Sequence, residues 1–471
     1  MNAEPNFFQH LRAELSGGRR WLDRAVVLSY AIAAGLSVVG ITIASDWAFK
    51  GFHRFFTAWP WAVLVVTPLL TAFIVWATRR FFAGASGSGI PQVKAALHSA
   101  LPPDRRRIFV SLRLSAAKLA LTMTGFAAGL SLGREGPSVQ VAAGVMQHAR
   151  RWLSPHSAID TRALLIAGGA AGIAAAFNAP LAGVVFAIEE LSGRLESRAS
   201  GLIMTAIVLA GLVAVSAFGN LSYFGIIKVP RLGWDSLGPG LLIVLISGVA
   251  GGLFSRLLIA SLTGVPERLN LLRARYPIRF AAVGGLVIAV IGLVTGGVTF
   301  GAGSEAVKRM LEGHDALTPL YTLLKFIATW LTAWCGVPGG IFAPSLSIGA
   351  GIGSAVAQIA QADMGPALIA MGMAAFLAAV TQAPLTSFII VMEMVDGHAM
   401  VLSLMAAAML ASLVSRMISR PLYDTLADHM VATAIGTNLP VAPDETDDAA
   451  EAPLSVPPLL APEPTEAPPS H

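Results

Sequence analysis

Apolar positions recur in long runs along almost the whole chain, at about 25–47, 61–77, 108–132, 138–146, 163–177, 181–191 and 202–218, and again at 241–262, 280–299, 320–335, 341–359, 366–380, 385–395 and 399–413. Runs of about 20 residues predict helices that cross a bilayer. Several runs are too short for that and are bounded by Gly or Pro. They predict half-helices, whose non-helical ends must be buried in protein or line a cavity, because lipid offers them no hydrogen bonds. The expected fold class is an all-α multi-pass membrane protein with many tilted, broken helices.

One polar stretch interrupts this pattern at membrane depth. Ser131-Leu132-Gly133-Arg134-Glu135-Gly136-Pro137-Ser138 lies between apolar sequence that runs up from Leu119 and away through Val145. Charged residues placed there are costly and mark function. The glycines permit close backbone approach, and Pro137 suits a first helical turn, where its missing N–H is no loss. The stretch predicts a broken helix whose free N–H groups and positive dipole end hold an anion without a full cationic charge. The Glu135 carboxylate would take the same place, compete with a dissolved anion and leave when protonated, which makes it a candidate gate. The competing reading is a re-entrant-loop glutamate that merely faces water.

The second half of the chain repeats the first. Residues 133–144 superpose without gaps on 340–351, with five of twelve positions identical, and the same offset of 207 sets Lys118 on Lys325. A second pair, Asn178-Ala179-Pro180-Leu181 through Glu189-Glu190, lies on Gln382-Ala383-Pro384-Leu385 through Glu393-Met394. Broken helices at matching places in two halves predict two antiparallel repeats with a site at their interface. Residues shared by both halves, such as Glu189 and Glu393, read as scaffold. Glu135 falls opposite Phe342 and Glu190 opposite Met394, so these unshared acids are the better functional candidates.

Two further helix starts share the build of the first. Gly87-Ser88-Gly89-Ile90-Pro91 offers the Ser88 hydroxyl to an anion, or else only to its own helix as an N-cap. Gly339-Gly340-Ile341-Phe342-Ala343-Pro344 offers the backbone N–H groups of Ile341 and Phe342 beside apolar side chains, or is a packing break. Each helix end contributes only about 0.3–2 kcal/mol toward an anion. Several must converge, with hydroxyl donors, to offset lost hydration. A full cation at the site would hold the anion too firmly for turnover.

Composition narrows the class. Of 471 residues 55% are hydrophobic and 13% charged, and a mean hydropathy of +0.70 excludes an ordinary soluble domain. The net charge of +5 collects in connectors, such as Arg79 with Arg80 and Arg105 to Arg107. It reads as positive-inside bias and not as a nucleic-acid surface. The lone Cys335 excludes a disulfide framework or thiolate metal site, and the nine histidines show no ligand spacing, so no metal or cofactor is expected. Residues 1–24 read as a cytoplasmic lead-in, because the A-x-A string at 31–33 falls inside the apolar run and not after it. Residues 25–220 and 221–430 form the two repeats. Residues 431–471, acidic and with nine prolines after Ile435, read as a disordered cytoplasmic tail.

The strings GSGIP at Gly87, GREGP at Gly133, AAAFNAPLAG with IEE at Ala174 to Glu190, GGIFAP at Gly339 and RPLY at Arg420 resemble, in order, the CLC chloride channel and transporter family. The resemblance covers about residues 25–430. It implies a homodimer with one pore per subunit in a prokaryotic inner membrane, both termini cytoplasmic, with chloride and protons as partners. It lends roles to matching positions. Ser88 and Tyr423 would hold the central anion with the backbone of Ile341 and Phe342, and Glu135 would be the external gate. Glu190 would be the inner proton-transfer acid, while Lys118 and Arg134 would shape pore electrostatics. Tyr423 alone reads equally as an interfacial belt residue, and Glu190 as a helix-end carboxylate paired with Arg194.

Within such a family, an acid at Glu190 accompanies proton-coupled exchangers, while passive channels generally lack it. Cl⁻/H⁺ antiport is the expected function and a passive chloride channel the alternative. Ser88 with Tyr423 points to chloride, where nitrate-preferring relatives place Pro at the serine and fluoride exporters depart from GREGP. Gln92 departs from the family, in which many relatives carry Glu there. The chain leaves no room for paired nucleotide-sensing domains, so regulation by ATP is not expected. An intramembrane enzyme would need a His or Asp beside Ser88, Ser131 or Ser138, and a sodium-coupled transporter would need carbonyl-rich cation sites.

Overall fold

The computed structural model describes residues 18–192, 200–219, 223–224, 236–264, 267–313, 319–360 and 365–436. The expected boundary between repeats at 220/221 touches residues outside this set. Most of the N-terminal lead-in, the tail beyond 436 and Arg194 also lie outside it.

Among the described residues every regular element is helical. The first half comprises α1 (Gly18–Ala58), α2 (Val63–Phe81), α3 (Ile90–Leu97), α4 (Leu112–Ala127), α5 (Glu135–His148), α6 (Thr161–Ala176), α7 (Pro180–Phe186) and α8 (Ser200–Phe218). The second comprises α9 (Leu237–Thr263), α10 (Glu267–Arg275), α11 (Pro277–Val294), α12 (Ser304–Leu311), α13 (Pro319–Trp334), α14 (Phe342–Ile359), α15 (Gly365–Thr381), α16 (Pro384–Met394), α17 (Val401–Arg416) and α18 (Leu422–Ile435). Among the described residues eight helical segments are long and apolar enough to cross a membrane. Their outer faces expose large apolar side chains such as Trp47, Trp61, Val65, Leu69, Leu241, Val283 and Leu402, as lipid contact requires.

α14 departs from the other candidate spans. It is 78% buried, against 33–50% for the rest, so it runs through the protein interior. α6 and α15 are apolar on all sides and buried along nearly their whole length, which is what a helix without a polar face must do. Two intimate pairs form the centre. A Cβ on Gly168 of α6 would come within 2.7 Å of the Ala142 carbonyl of α5, and one on Gly349 of α14 within 2.3 Å of the Gly372 carbonyl of α15. Only glycine lets these backbones meet.

The repeat is visible as paired bonding. At the C-terminal end of the α7 segment Glu189 accepts from the Leu385 and Thr386 N–H groups (3.0 and 2.6 Å) at the start of α16. At the end of α16 Glu393 accepts from Leu181 and Ala182 (3.3 and 2.7 Å) at the start of α7. Each helix therefore caps the other, which requires the two to lie antiparallel. Asn178 and Gln382, at matching places before these helices, share left-handed backbone angles (φ 55° and 59°). The buried lysines match as well. Lys118 Nζ donates to Ala85 O and Gly87 O (2.8 and 2.5 Å), and Lys325 Nζ to Thr299 O and Gly301 O (2.9 and 2.6 Å). Each Nζ is bonded to a glycine loop ahead of a short helix, α3 or α12.

Candidate functional site

The three glycine-proline breaks meet at one place. Gly133 and Gly340 exchange both backbone hydrogen bonds at 2.7 Å, and Gly339 N donates to Gly87 O at 3.1 Å. Thr122 donates to Pro338 O (3.2 Å) and Ser86 to Gly336 O (3.0 Å), tying α4 and the Ser88 loop to the turn before α14. Gly89 takes φ +121°, and a Cβ there would stand 2.2 Å from Gly136 O. The starts of α3, α5 and α14 are thus packed backbone to backbone, as anion binding by helix ends needs.

Glu135 opens α5 and is 1% exposed. Its Oε2 accepts from the Ala343 N–H at 3.4 Å, in the first turn of α14. The carboxylate folds back over Gly133, where a Cβ would come within 2.2 Å of Oε2 and 3.2 Å of Pro344 Cδ. The Glu135 carboxyl group therefore already occupies the N-terminus of α14.

Beside it lies a cavity of about 200 Å³ lined by Ser88, Pro91, Ile341, Leu422 and Tyr423, with Arg273 and His429 in its wall. Ser88 Oγ and Tyr423 Oη are buried and without a hydrogen-bond partner, although near enough to interact. Buried hydroxyls left unpaired are costly and call for a missing partner. Phe342 does not line the cavity. Its ring stacks on Tyr423 (6.1 Å between centroids) and tilts against Phe177 (6.2 Å), forming apolar backing that excludes water.

Arg134 turns away from this centre. It donates to Asp46 at 2.6 Å, to Tyr223 Oη at 3.0 Å and to Thr42 O at 3.3 Å. Its charge is balanced by Asp46, so it acts at a distance and not as a ligand. Glu190 sits in a π-helical turn, Ala187–Ser192, that continues α7. It is buried and paired to Lys94 at 2.7 Å. Lys94 also meets Asp424 at 2.5 Å. The partner weighed from sequence, Arg194, lies outside the described residues.

The structure thus brings Ser88, Tyr423, Ile341, Phe342 and Glu135 together, puts Lys118 under the Ser88 loop, and sets Glu190 within electrostatic reach of Tyr423. Sequence reasoning missed Lys94, Asp424, Asp46 and Tyr223. A lysine six residues past Ser88 in an apolar helix and an acid directly after Tyr423 were the available signals.

Helix starts converging inside a membrane around unpaired hydroxyls define a membrane protein with a polar centre suited to small anions. The family model described as voltage gated chloride channel matches residues 70–416, and the chain belongs to that family. It is 30% identical over 391 residues to the H(+)/Cl(-) exchange transporter ClcA of Citrobacter koseri, covering 79% of this chain and 80% of that protein. The crystal structure of a slow cyanobacterial Cl-/H+ antiporter superposes with a TM-score of 0.73 and 25% identity, over 87% of this chain and 98% of that one. A CLC-type fluoride/proton antiporter shares the fold, with a TM-score of 0.71 at 20% identity, over 90% of this chain and 99% of that one.

Proposed function

We propose that the chain exchanges chloride for protons across a membrane. The observation that carries this reading is the Glu135 carboxylate on the Ala343 N–H, beside the unpaired hydroxyls of Ser88 and Tyr423. Chloride reaches Ser88 and Tyr423 through the cavity and is held by hydroxyls and helix ends, without a cation in contact. Advancing further, it displaces Glu135 from the start of α14. The displaced carboxylate takes a proton and stays aside, and its return expels the anion. Glu190 supplies protons from the other side, so each anion cycle moves a proton in the opposite direction. Lys118 and Arg134 act through loop position and long-range charge. The reading carries with it a homodimer with one pore per subunit, in the bacterial inner membrane with both termini cytoplasmic.

A passive chloride channel is the second reading, and one observation favours it. Glu190 is ion-paired, and a carboxylate held permanently by Lys94 would leave chloride uncoupled. The test is proton movement into sealed liposomes driven by a chloride gradient. Uphill proton uptake, lost in Glu190→Gln and Glu135→Ala while chloride flux persists, is expected. Chloride flux with no proton movement in the unmodified protein would overturn exchange and leave the channel.

A further inference from the structure

Lys94 stands in the last turn of α3, six residues past Ser88, with its side chain 12% exposed. Its ammonium touches two carboxylates on two other elements, Glu190 Oε1 at 2.7 Å and Asp424 Oδ1 at 2.5 Å. The Glu190 side chain is 7% exposed and the Asp424 side chain 59%. One cation therefore bridges a buried acid and a water-facing one. It also joins the three elements that matter. α3 follows the Ser88 loop, α18 carries Tyr423 immediately before Asp424, and the π-helical turn carries Glu190.

Charge counting gives the cluster its character. With Glu190 ionised the three groups sum to −1, and with Glu190 protonated they sum to zero, because Asp424 alone still balances Lys94. Lys94 thus never loses its partner during a proton cycle. A single buried Lys–Glu pair would leave an uncompensated cation each time the acid took a proton, which is strongly unfavourable. The second acid removes that barrier. Among the described residues the other charged or titratable groups around Glu190 are its neighbour Glu189, committed to the start of α16, and the Tyr423 phenol. α6, which packs against the same turn, contributes Arg162, and this side chain is spent on Leu97 O at 3.0 Å. His98 and Asp428 form their own pair on the same two helices, α3's end and α18, at 3.6 Å.

We infer that Lys94 and Asp424 form a positioning pair that sets when Glu190 accepts a proton, Lys94 favouring its charged form and Asp424 relieving that hold. The inference rests on Glu190 carrying protons, as proposed above. It also accounts for an ion-paired acid in an exchanger, since the pair is built to let go. Neither residue is a ligand of the anion.

The test is the pH dependence of chloride-driven proton uptake in liposomes of the full chain, with chloride flux measured in parallel. Uptake should fall as pH rises through the range where Glu190 loses its proton. In Lys94→Gln the carboxylate loses its cation, so the profile moves to higher pH by about one unit or more. In Asp424→Asn the competing acid is gone, so the profile moves the other way. Lys94→Arg keeps the charge and should restore the unmodified profile, which damage to packing alone would not allow. Opposite shifts with chloride flux retained support the pair. Unshifted profiles, or shifts in one direction for both variants, overturn it. Glu190→Gln separates the two levels: if it retains proton uptake, the role of Glu190 itself is overturned, and the pair with it.

Discussion

Lys118 and Lys325 make the same bonds in the two halves, yet only one of their loops carries a hydroxyl for the anion. Lys118 holds Ala85 O and Gly87 O, and Ser88 hangs between Gly87 (φ +75°) and Gly89 (φ +121°). Ser86, Gly339 and the contact of Gly89 with Gly136 anchor this loop to α5 and to the turn before α14, and Lys118 Nζ adds the bonds from α4. Lys118→Met frees Ala85 O, leaves Gly87 O held only by the Gly339 N–H, and lets Ser88 Oγ drift from the anion. A hydrogen bond to a charged partner is worth about 1.5–3 kcal/mol, so complete misalignment lowers chloride affinity roughly 10- to 150-fold. Lys325→Met makes the same lesion at Thr299 and Gly301, where Ala302 stands in place of the serine, and should change chloride affinity by less than about threefold. Both lysines are fully buried, so thermal stability should respond alike in the two variants. Titration calorimetry with chloride in detergent reads the difference. Ser88→Ala sets the ceiling, and adding Lys118→Met to it should cost little more. Equal affinity losses in the two lysine variants would refute the reasoning, as would a double variant whose loss is the product of the singles.

Gly89→Ala should yield little folded protein, because its Cβ meets the Gly136 carbonyl at 2.2 Å in a backbone conformation that side chains resist; size-exclusion yield in detergent checks this, and a normal yield would contradict the packing of α3 on α5. Glu189→Gln and Glu393→Gln each remove a charged cap from a helix start and should each cost about 1–2 kcal/mol. Thermal unfolding should therefore shift by similar amounts in both, and a large asymmetry would contradict the paired capping.

Much of this was legible in the chain because a membrane simplifies the code. Long apolar runs could only be helices, and those at 163–177 and 366–380 became α6 and α15 almost residue for residue. The repeat foretold that shared residues are structural, and Glu189 with Glu393, and Lys118 with Lys325, hold the two halves in matching ways. The polar helices α10 and α12 escaped, since neither carries an apolar run, and α18 escaped beyond its Tyr423. The Lys94 bridge escaped for another reason. Its partners lie 96 and 330 residues away, and no spacing rule reaches across three elements that only the fold brings together. The second counterpart of the Ser88 loop, at Gly301-Ala302-Gly303, was hidden because its offset of 214 differs from the 207 of the main repeat.

Exchange by competition requires that the Glu135 carboxylate and chloride take turns at the start of α14. The most direct measurement is anion occupancy there, read as anomalous bromide density in crystals of the unmodified protein and of Glu135→Gln. Bromide is expected at Ser88 and Tyr423 in both, and an additional bromide at the Ala343 N–H only in the variant. If the variant leaves that position empty of bromide, the carboxylate is not standing in for an anion and exchange does not proceed by this competition.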